Sequence, residues 1–176
     1  MVQIRIRAMV EQDIPSVARI YLENFKGMKS YDDVVRWMVM KHRSKPVCMY
    51  YIAMLGEEHV GYILWTEHGG FRSNAVLELE QIAVAKRYQG RGIGGMLVVE
   101  SLKDVCRYLH ERGSELKLVI VTTSNSNTNA KRFYGKVLNA KEEAVLHDIY
   151  GSDELIMVAR REEIPFLNTG LVEDHL

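Results

Sequence analysis

The sequence predicts an α/β fold built on a central mixed, mostly antiparallel sheet of about seven strands, flanked by about four helices. Three observations lead there. Short alternating or continuous apolar runs recur along the chain, as strands require. Longer stretches between them carry apolar residues at steps of three and four, as helices require. Glycine, proline and asparagine fall at the boundaries, where turns and helix ends need their backbone freedom or rigidity.

The elements follow in order. Ile4, Ile6 and Ala8 alternate with Arg5 and Arg7, the pattern of a half-buried strand. Asp13 is placed to cap a helix whose first turn tolerates Pro15, and Ile14, Val17, Ala18, Tyr21, Leu22 and Phe25 follow helical spacing. FKGMKS reads as a loop and residues 31–41 as a second short helix. Strands at 47–55 and 60–66 are joined by the turn GEEH. After EHGGFRSN a third strand, 76–84, completes an antiparallel meander. Val98, Leu102, Val105 and Leu109 make one stripe of a helix closed by Gly113. Residues 116–123 are nearly all apolar, the signature of a strand buried on both faces. The polar turn TSNSNTN leads to a helix at 130–138, with Asn139 where a left-handed C-cap belongs. A hairpin of 143–150 and 154–160, turning at Gly151–Ser152, ends one domain over residues 1–161, and 162–176 read as a C-terminal tail.

Composition removes several function classes. Among 176 residues, 23 basic and 23 acidic side chains cancel, which argues against nucleic acid as a partner. No uncharged apolar run approaches the roughly 20 residues that span a bilayer, so no membrane partner is expected. The charged start is no signal peptide, which makes a cytoplasmic location the expectation. Cys48 and Cys106 form no metal or redox spacing, and Cys106 falls beside an apolar helix stripe. The six histidines match no metal spacing either, so no metal is expected.

The chemistry concentrates in YQGRGIGGML. Gly90-x-Gly92-x-x-Gly95 has the letters of a dinucleotide fingerprint, but AKRYQ separates the strand from the first glycine. The next strand ends VTTSNSN, with no acid for a ribose hydroxyl, and several strands precede the motif, which normally opens its domain. The other register, Gln89-x-x-Gly92-x-Gly94, remains. A glycine loop at a helix start offers backbone N–H groups and a positive dipole end to an anion, and Lys86, Arg87 and Arg91 could balance more phosphate charge.

Three segments together, IRIRAMVEQDIPSVARIY, LEQIAVAKRYQGRGIGGML and NTNAKRFYGKVLNAK, resemble the GNAT superfamily of acyl-CoA-dependent N-acetyltransferases over residues 3–161. The resemblance implies the GNAT fold and acetyl-CoA as co-substrate. It implies a pantetheine arm along the backbone of Ile82 and Val84, with Asn127 beside it. It places a pyrophosphate on the N–H groups of Gln89, Gly90, Arg91, Gly92, Ile93 and Gly94. Tyr134 would then be the general acid at the thioester sulfur, with Phe133 packing in the core. One departure is that four residues, not three, separate Phe133-Tyr134 from the turn at Asn139-Ala140.

An amine near its usual pKa of about 10.4 is almost wholly protonated at neutral pH, so attack on a thioester needs a base. Glu78 and Glu80 lie two apart on one strand and project to one face. Glu78 aligns with the base of the histone-acetylating branch, while ELEQIAV resembles the acidic strand of small-amine relatives, which ranks Glu80 slightly ahead. The expected reaction moves acetyl from acetyl-CoA to a primary amine. A small polyamine-like or amino compound is preferred because Glu23, Asp32 and Asp33 would attract a cation. A protein N-terminus or lysine, and a non-catalytic acyl-CoA-binding sensor, are the alternatives. His147 and Asp148 fit either the acceptor pocket or an exposed strand edge. The resemblance also leaves a homodimer open.

Overall fold

The alternating start of the chain finds its partner far along the sequence. Ile4–Ala8 (β1) runs antiparallel to Cys48–Leu55 (β2), with Ile4 opposite Leu55 and Ala8 opposite Tyr51. The structure is a computed structural model that describes residues 3–27 and 30–168. Helices Ile14–Asn24 (α1) and Tyr31–Arg43 (α2) lie between these strands in sequence. There follow Glu58–His68 (β3), Asn74–Val84 (β4), the helix Ile93–Glu111 (α3), Glu115–Ser124 (β5), the helix Thr128–Leu138 (α4), Lys141–Leu146 (β6) and Glu154–Arg160 (β7). The seven strands hydrogen-bond in the order β1-β2-β3-β4-β5-β7-β6, and only β4 and β5 are parallel among the pairs whose register is defined. The expected sheet of seven strands and four helices is therefore present. Among the described residues no helix is long and apolar enough to cross a membrane.

The chain divides into two compact units, the first drawn from Met1–Thr66 and Glu80–Asp104. Here β2 and β3 form a hairpin with Leu55 opposite Glu58, and Gly56, at φ 60°, takes the left-handed turn position. Tyr50, Ile52, Tyr62 and Leu64 from these strands meet Ile14, Val17, Val34 and Met38 from α1 and α2 in one core. Trp65, the next residue along β3, is fully buried and donates its indole N–H to Ser101 of α3 at 2.8 Å. Strand β3 is thus covered on both faces. Gly61 permits a close approach at its centre: a Cβ there would meet the Ala83 carbonyl oxygen at 3.0 Å and Leu97 Cδ1 at 3.1 Å.

Asp13 departs from its expected role. It does not cap α1 with its side chain; a 3-10 turn, Glu11–Asp13, precedes the helix. Its carboxylate instead accepts two hydrogen bonds from Arg7, at 2.7 and 2.9 Å, and one from the Val10 N–H at 2.8 Å, with His59 Nε2 also at 2.8 Å. Burial pushes this carboxyl up, but the Arg7, His59 and Val10 hydrogen bonds and the Arg7 charge outweigh it and hold Asp13 well below the usual carboxylate range.

The second unit is drawn from Glu67–Leu79 and Val105–Leu176. Strand β5 pairs with the first half of β4 from Asn74 opposite Glu115 to Leu79 opposite Val121, and antiparallel with β7 along its other edge. Its apolar run is not buried on both faces as expected. Leu116, Val119 and Val121 are buried, while Leu118, Ile120 and Thr122 are half-buried, so one face is fully covered and the other partly. Glu67, wholly buried, receives a bidentate pair from Arg112 at 2.7 and 2.8 Å, and Arg112 also stacks 4.6 Å over the Phe71 ring. The edge strand β6 begins at Lys141, two residues before the expected hairpin strand, and is exposed throughout. Gly113 at φ 78° and Asn139 at φ 55° take the left-handed positions expected of them. In the expected tail, residues 162–168 include the 3-10 turn Pro165–Leu167, and 169–176 lie outside the described residues, as do 28–29 of FKGMKS.

Two outcomes follow. Gly61→Ala should cost about 1–3 kcal/mol in urea unfolding, because the nearest clash is with backbone that cannot rotate away. Asp13→Asn should cost about 1–3 kcal/mol near neutral pH. Since the folded pKa of Asp13 is depressed, its contribution is complete above the unfolded value of about 3.9 and is lost as pH falls towards the folded one. The gap between wild type and variant should therefore narrow when unfolding is repeated at about pH 3.

Candidate active site

Strand β4 must stop at Val84 for the glycine loop to begin, and two carboxamides fix that stop. The Val84 carbonyl accepts from Asn24 Nδ2 at 3.2 Å and from Gln89 Nε2 at 3.0 Å. Gln89 Nε2 also reaches Asn24 Oδ1 at 2.9 Å, and Asn24 is tied back to Ile20 in its own helix at 2.8 Å. The Ala85 N–H donates to Val60, and Lys86–Tyr88 makes a single 3-10 turn. Gly90 and Gly92 then take φ values of 75° and 79°, which glycine adopts without strain.

Helix α3 starts at Ile93, immediately beyond the second left-handed glycine. Gln89, Gly90, Arg91 and Gly92 are exposed beside the positive end of a 19-residue helix, although the Gln89 N–H donates to the Lys86 carbonyl at 3.3 Å. Ile93 is different: the residue is buried. The loop's cations are partly committed. Arg87 pairs with Glu58, and Arg87 and Arg91 each lie 5.2 Å from the Tyr88 ring centroid. Tyr88 in turn donates to Glu58 at 2.6 Å, and Glu23 accepts the Lys86 backbone N–H at 3.0 Å. A cavity of about 690 Å³ opens beside these groups, lined among others by Arg19, Glu23, Glu58 and Lys86.

The two candidate bases have different surroundings. Glu80 is half-buried; its Oε2 accepts from Lys41 Nζ at 2.7 Å and from Thr66 Oγ1 at 2.6 Å. The Lys41 ammonium also sits 5.3 Å from the Trp37 ring centroid. Burial first, and then the charge of Glu80, push the Tyr50 hydroxyl well above its ordinary value. That hydroxyl is buried and has no hydrogen-bond partner among the described residues. Glu78 is held instead by His68, Nε2 to Oε2 at 2.6 Å. Leu77 and Leu79 are buried while Glu78 and Glu80 are half-buried, so the strand alternates as expected around them.

Ile82 and Val84 lie on the last five residues of β4, past its final pair with β5 at Leu79–Val121. In the second unit, the Asn127 carboxamide caps α4, accepting from the Ala130 N–H at 3.1 Å. Tyr134, two helix turns on, is 8% exposed, and burial pushes its hydroxyl up to about 12, which keeps it protonated at neutral pH. Phe133 meets its ring edge-on at 5.3 Å and is itself only half-buried.

Other expectations resolve into local structure. Asp33 joins Ser30 in capping α2, and Asp32 lies exposed in the same first turn. His147 and Asp148 sit in the exposed turn after β6, both bonded to Asp153. Cys106 is half-buried, and burial pushes its thiol up to about 11, away from nucleophilic use. Asn24, Lys41 and Thr66 escaped the sequence reading. Their only signals were an amide at the end of a helix and a lysine among the last-turn cations of another.

The family model described as Acetyltransferase (GNAT) family matches residues 14–139. An uncharacterized N-acetyltransferase of Archaeoglobus fulgidus is 23% identical over 139 residues, covering 73% of this chain and 88% of its own length. A chimera of the Vibrio cholerae spermidine N-acetyltransferase has the same fold with a TM-score of 0.74 at 18% identity, over 94% of this chain and 99% of that one. The ribosomal-protein-S18-alanine N-acetyltransferase of Escherichia coli gives 0.69 at 17% identity, over 90% and 94%.

The carboxamide pair can be tested directly. Asn24→Ala should weaken binding of a pyrophosphate-bearing ligand at the loop by about 5–30-fold in calorimetry, the loss of one or two hydrogen bonds that position it. Unchanged affinity would show that the loop holds its shape without Asn24.

Proposed function

We propose that this chain, which belongs to the acetyltransferase (GNAT) family, moves the acetyl group of acetyl-CoA directly to a primary amine, with a small polyamine-like or amino compound as acceptor. One observation carries the amine half of this reading: Glu80 already holds a primary ammonium, that of Lys41, at 2.7 Å. A carboxylate so placed can hold an acceptor ammonium in the same way and take its proton. The exposed residues Gln89 to Gly92 at the start of α3 support the donor half, as part of a pyrophosphate cradle running from Gln89 to Gly94.

In this reading the pantetheine arm follows the backbone of Ile82 and the N–H of Val84, with Asn127 contributing to its binding. The acceptor displaces Lys41 from Glu80, which takes the proton directly or through water; Glu78 is the second candidate for that task. The free amine attacks the thioester carbonyl. Tyr134, kept protonated by burial, supplies a proton to the departing sulfur. A thiol of pKa about 8.5 is a fair leaving group, so this assistance is useful rather than indispensable. The spermidine enzyme among the relatives supports a small acceptor, and the S18-alanine enzyme supports a protein N-terminus as the second reading. A sensor that only binds acyl-CoA would need neither Glu80 nor Tyr134.

Thiol release from acetyl-CoA over a panel of polyamines, amino compounds and peptides with free N-termini tests the proposal, and binding without turnover on every amine would overturn it. Tyr134→Phe should lower kcat by about tenfold with acetyl-CoA affinity kept, and unchanged turnover would remove its role. Glu80→Gln should lower kcat/KM at neutral pH by about a hundredfold. Its residual rate should climb with pH as the free amine becomes more abundant.

A further inference from the structure

We propose that Lys41 is a self-acetylation site, and that its modification releases Glu80 for the acceptor; this rests on the acetyl-transfer reading above. Lys41 Nζ is a primary amine, the functional group this chain is proposed to acetylate, and it is already hydrogen-bonded at 2.7 Å to the proposed base. Both side chains are about one-fifth exposed, 21% for Lys41 and 20% for Glu80, so the pair is reached by solvent and by small ligands without being dissolved in bulk water. Glu80 lies two residues before Ile82, on the strand segment that would carry the pantetheine arm.

The neighbours of the pair favour a reactive site over a structural tie. Thr66 Oγ1 donates to the same carboxylate oxygen as Lys41, so Glu80 keeps a partner when the lysine leaves. The Tyr50 hydroxyl, on the adjoining part of the same core, is 1% exposed and unpartnered among the described residues, an acceptor and donor held in reserve. Trp37 flanks the ammonium with a ring face on which a neutral amide can also rest.

The step balances. The Lys41 ammonium gives one proton to Glu80, and its nitrogen forms a bond to the thioester carbonyl carbon. The carbon–sulfur bond breaks, and the leaving sulfur takes the second proton, released by the nitrogen as the amide forms, to give the CoA thiol. The products are Nε-acetyl-Lys41, CoA and the proton that Glu80 passes to water. The modified side chain has lost its positive charge and with it the ion pair, so a cationic acceptor no longer competes with a tethered ammonium for the carboxylate.

The test uses the full-length protein with acetyl-CoA and no added amine, followed by intact-mass measurement and peptide mapping. One acetyl group is expected, on Lys41, at a rate per molecule independent of protein concentration. The rate should fall by about tenfold or more in Glu80→Gln, which removes the base. Lys41→Arg should carry no acetyl at this peptide while circular dichroism shows it folded. The modified protein should then show a lower KM for a polyamine acceptor than unmodified protein. Acetylation of Lys41 at the same rate in Glu80→Gln would mark it as passive chemistry and overturn the proposal. An unmodified Lys41 in protein that turns over free amines would overturn it while leaving the acetyl-transfer reading intact. Failure of both reactions would remove the two together.

Discussion

Strand β4 ends at a carbonyl that has to be satisfied, and the glycine loop is built on how that is done. A backbone oxygen at a strand end loses its ladder partner and must find another. At Val84 the partners are the carboxamides of Asn24 and Gln89, one from the end of α1 and one from the loop itself. Because Gln89 and Asn24 also bond to each other, the three groups set where the chain leaves the strand. The left-handed turns at Gly90 and Gly92 and the start of α3 at Ile93 follow from that point. Exposed N–H groups are useful to an anion only if they are held in place beforehand, and this closed set of hydrogen bonds holds them.

Charge in the first unit is paired rather than displayed. Arg7 meets Asp13, Lys41 meets Glu80, and Arg87 meets Glu58. A net charge of zero over the whole chain thus conceals local matches, each placing a cation where a carboxylate is half or wholly covered. For Glu80 the consequence is functional. If Glu80 is the base, as proposed, the ion pair with Lys41 already aims its carboxylate, and an incoming amine has only to exchange with a like group. Glu78, bonded to His68, is embedded in a different pairing, and the similar spacing of the two glutamates in the sequence gives no hint of it.

Much of the framework was legible in the residues because it is written in short periods. The glycine register, the expected end of β4 at Val84, the left-handed caps at Gly113 and Asn139 and the stripe of α3 each depend on neighbours within a turn or two. Errors arose where a local signal competed with a distant partner. Asp13 has the position and chemistry of a helix cap, yet its buried carboxylate turns to Arg7, which brings charge and two hydrogen bonds, and to a further hydrogen bond with His59. The apolar run of β5 suggested two covered faces, but composition cannot say how much of the second face its neighbours reach.

The sequence by itself determined the fold, the family and the glycine turns of the loop, since each depends on a pattern carried by consecutive residues: apolar periodicity for the elements, glycine where φ must be positive, and motif order for the family. Tertiary structure alone decided the partners. Lys41 and Glu80 are 39 residues apart, Arg112 and Glu67 are 45, and Asn24 and Val84 are 60. Whether such groups meet depends on strand register and helix packing, which are properties of the whole folded core rather than of any segment. For that reason the glycine loop could be read from the letters, and the ammonium already resting on Glu80 could not.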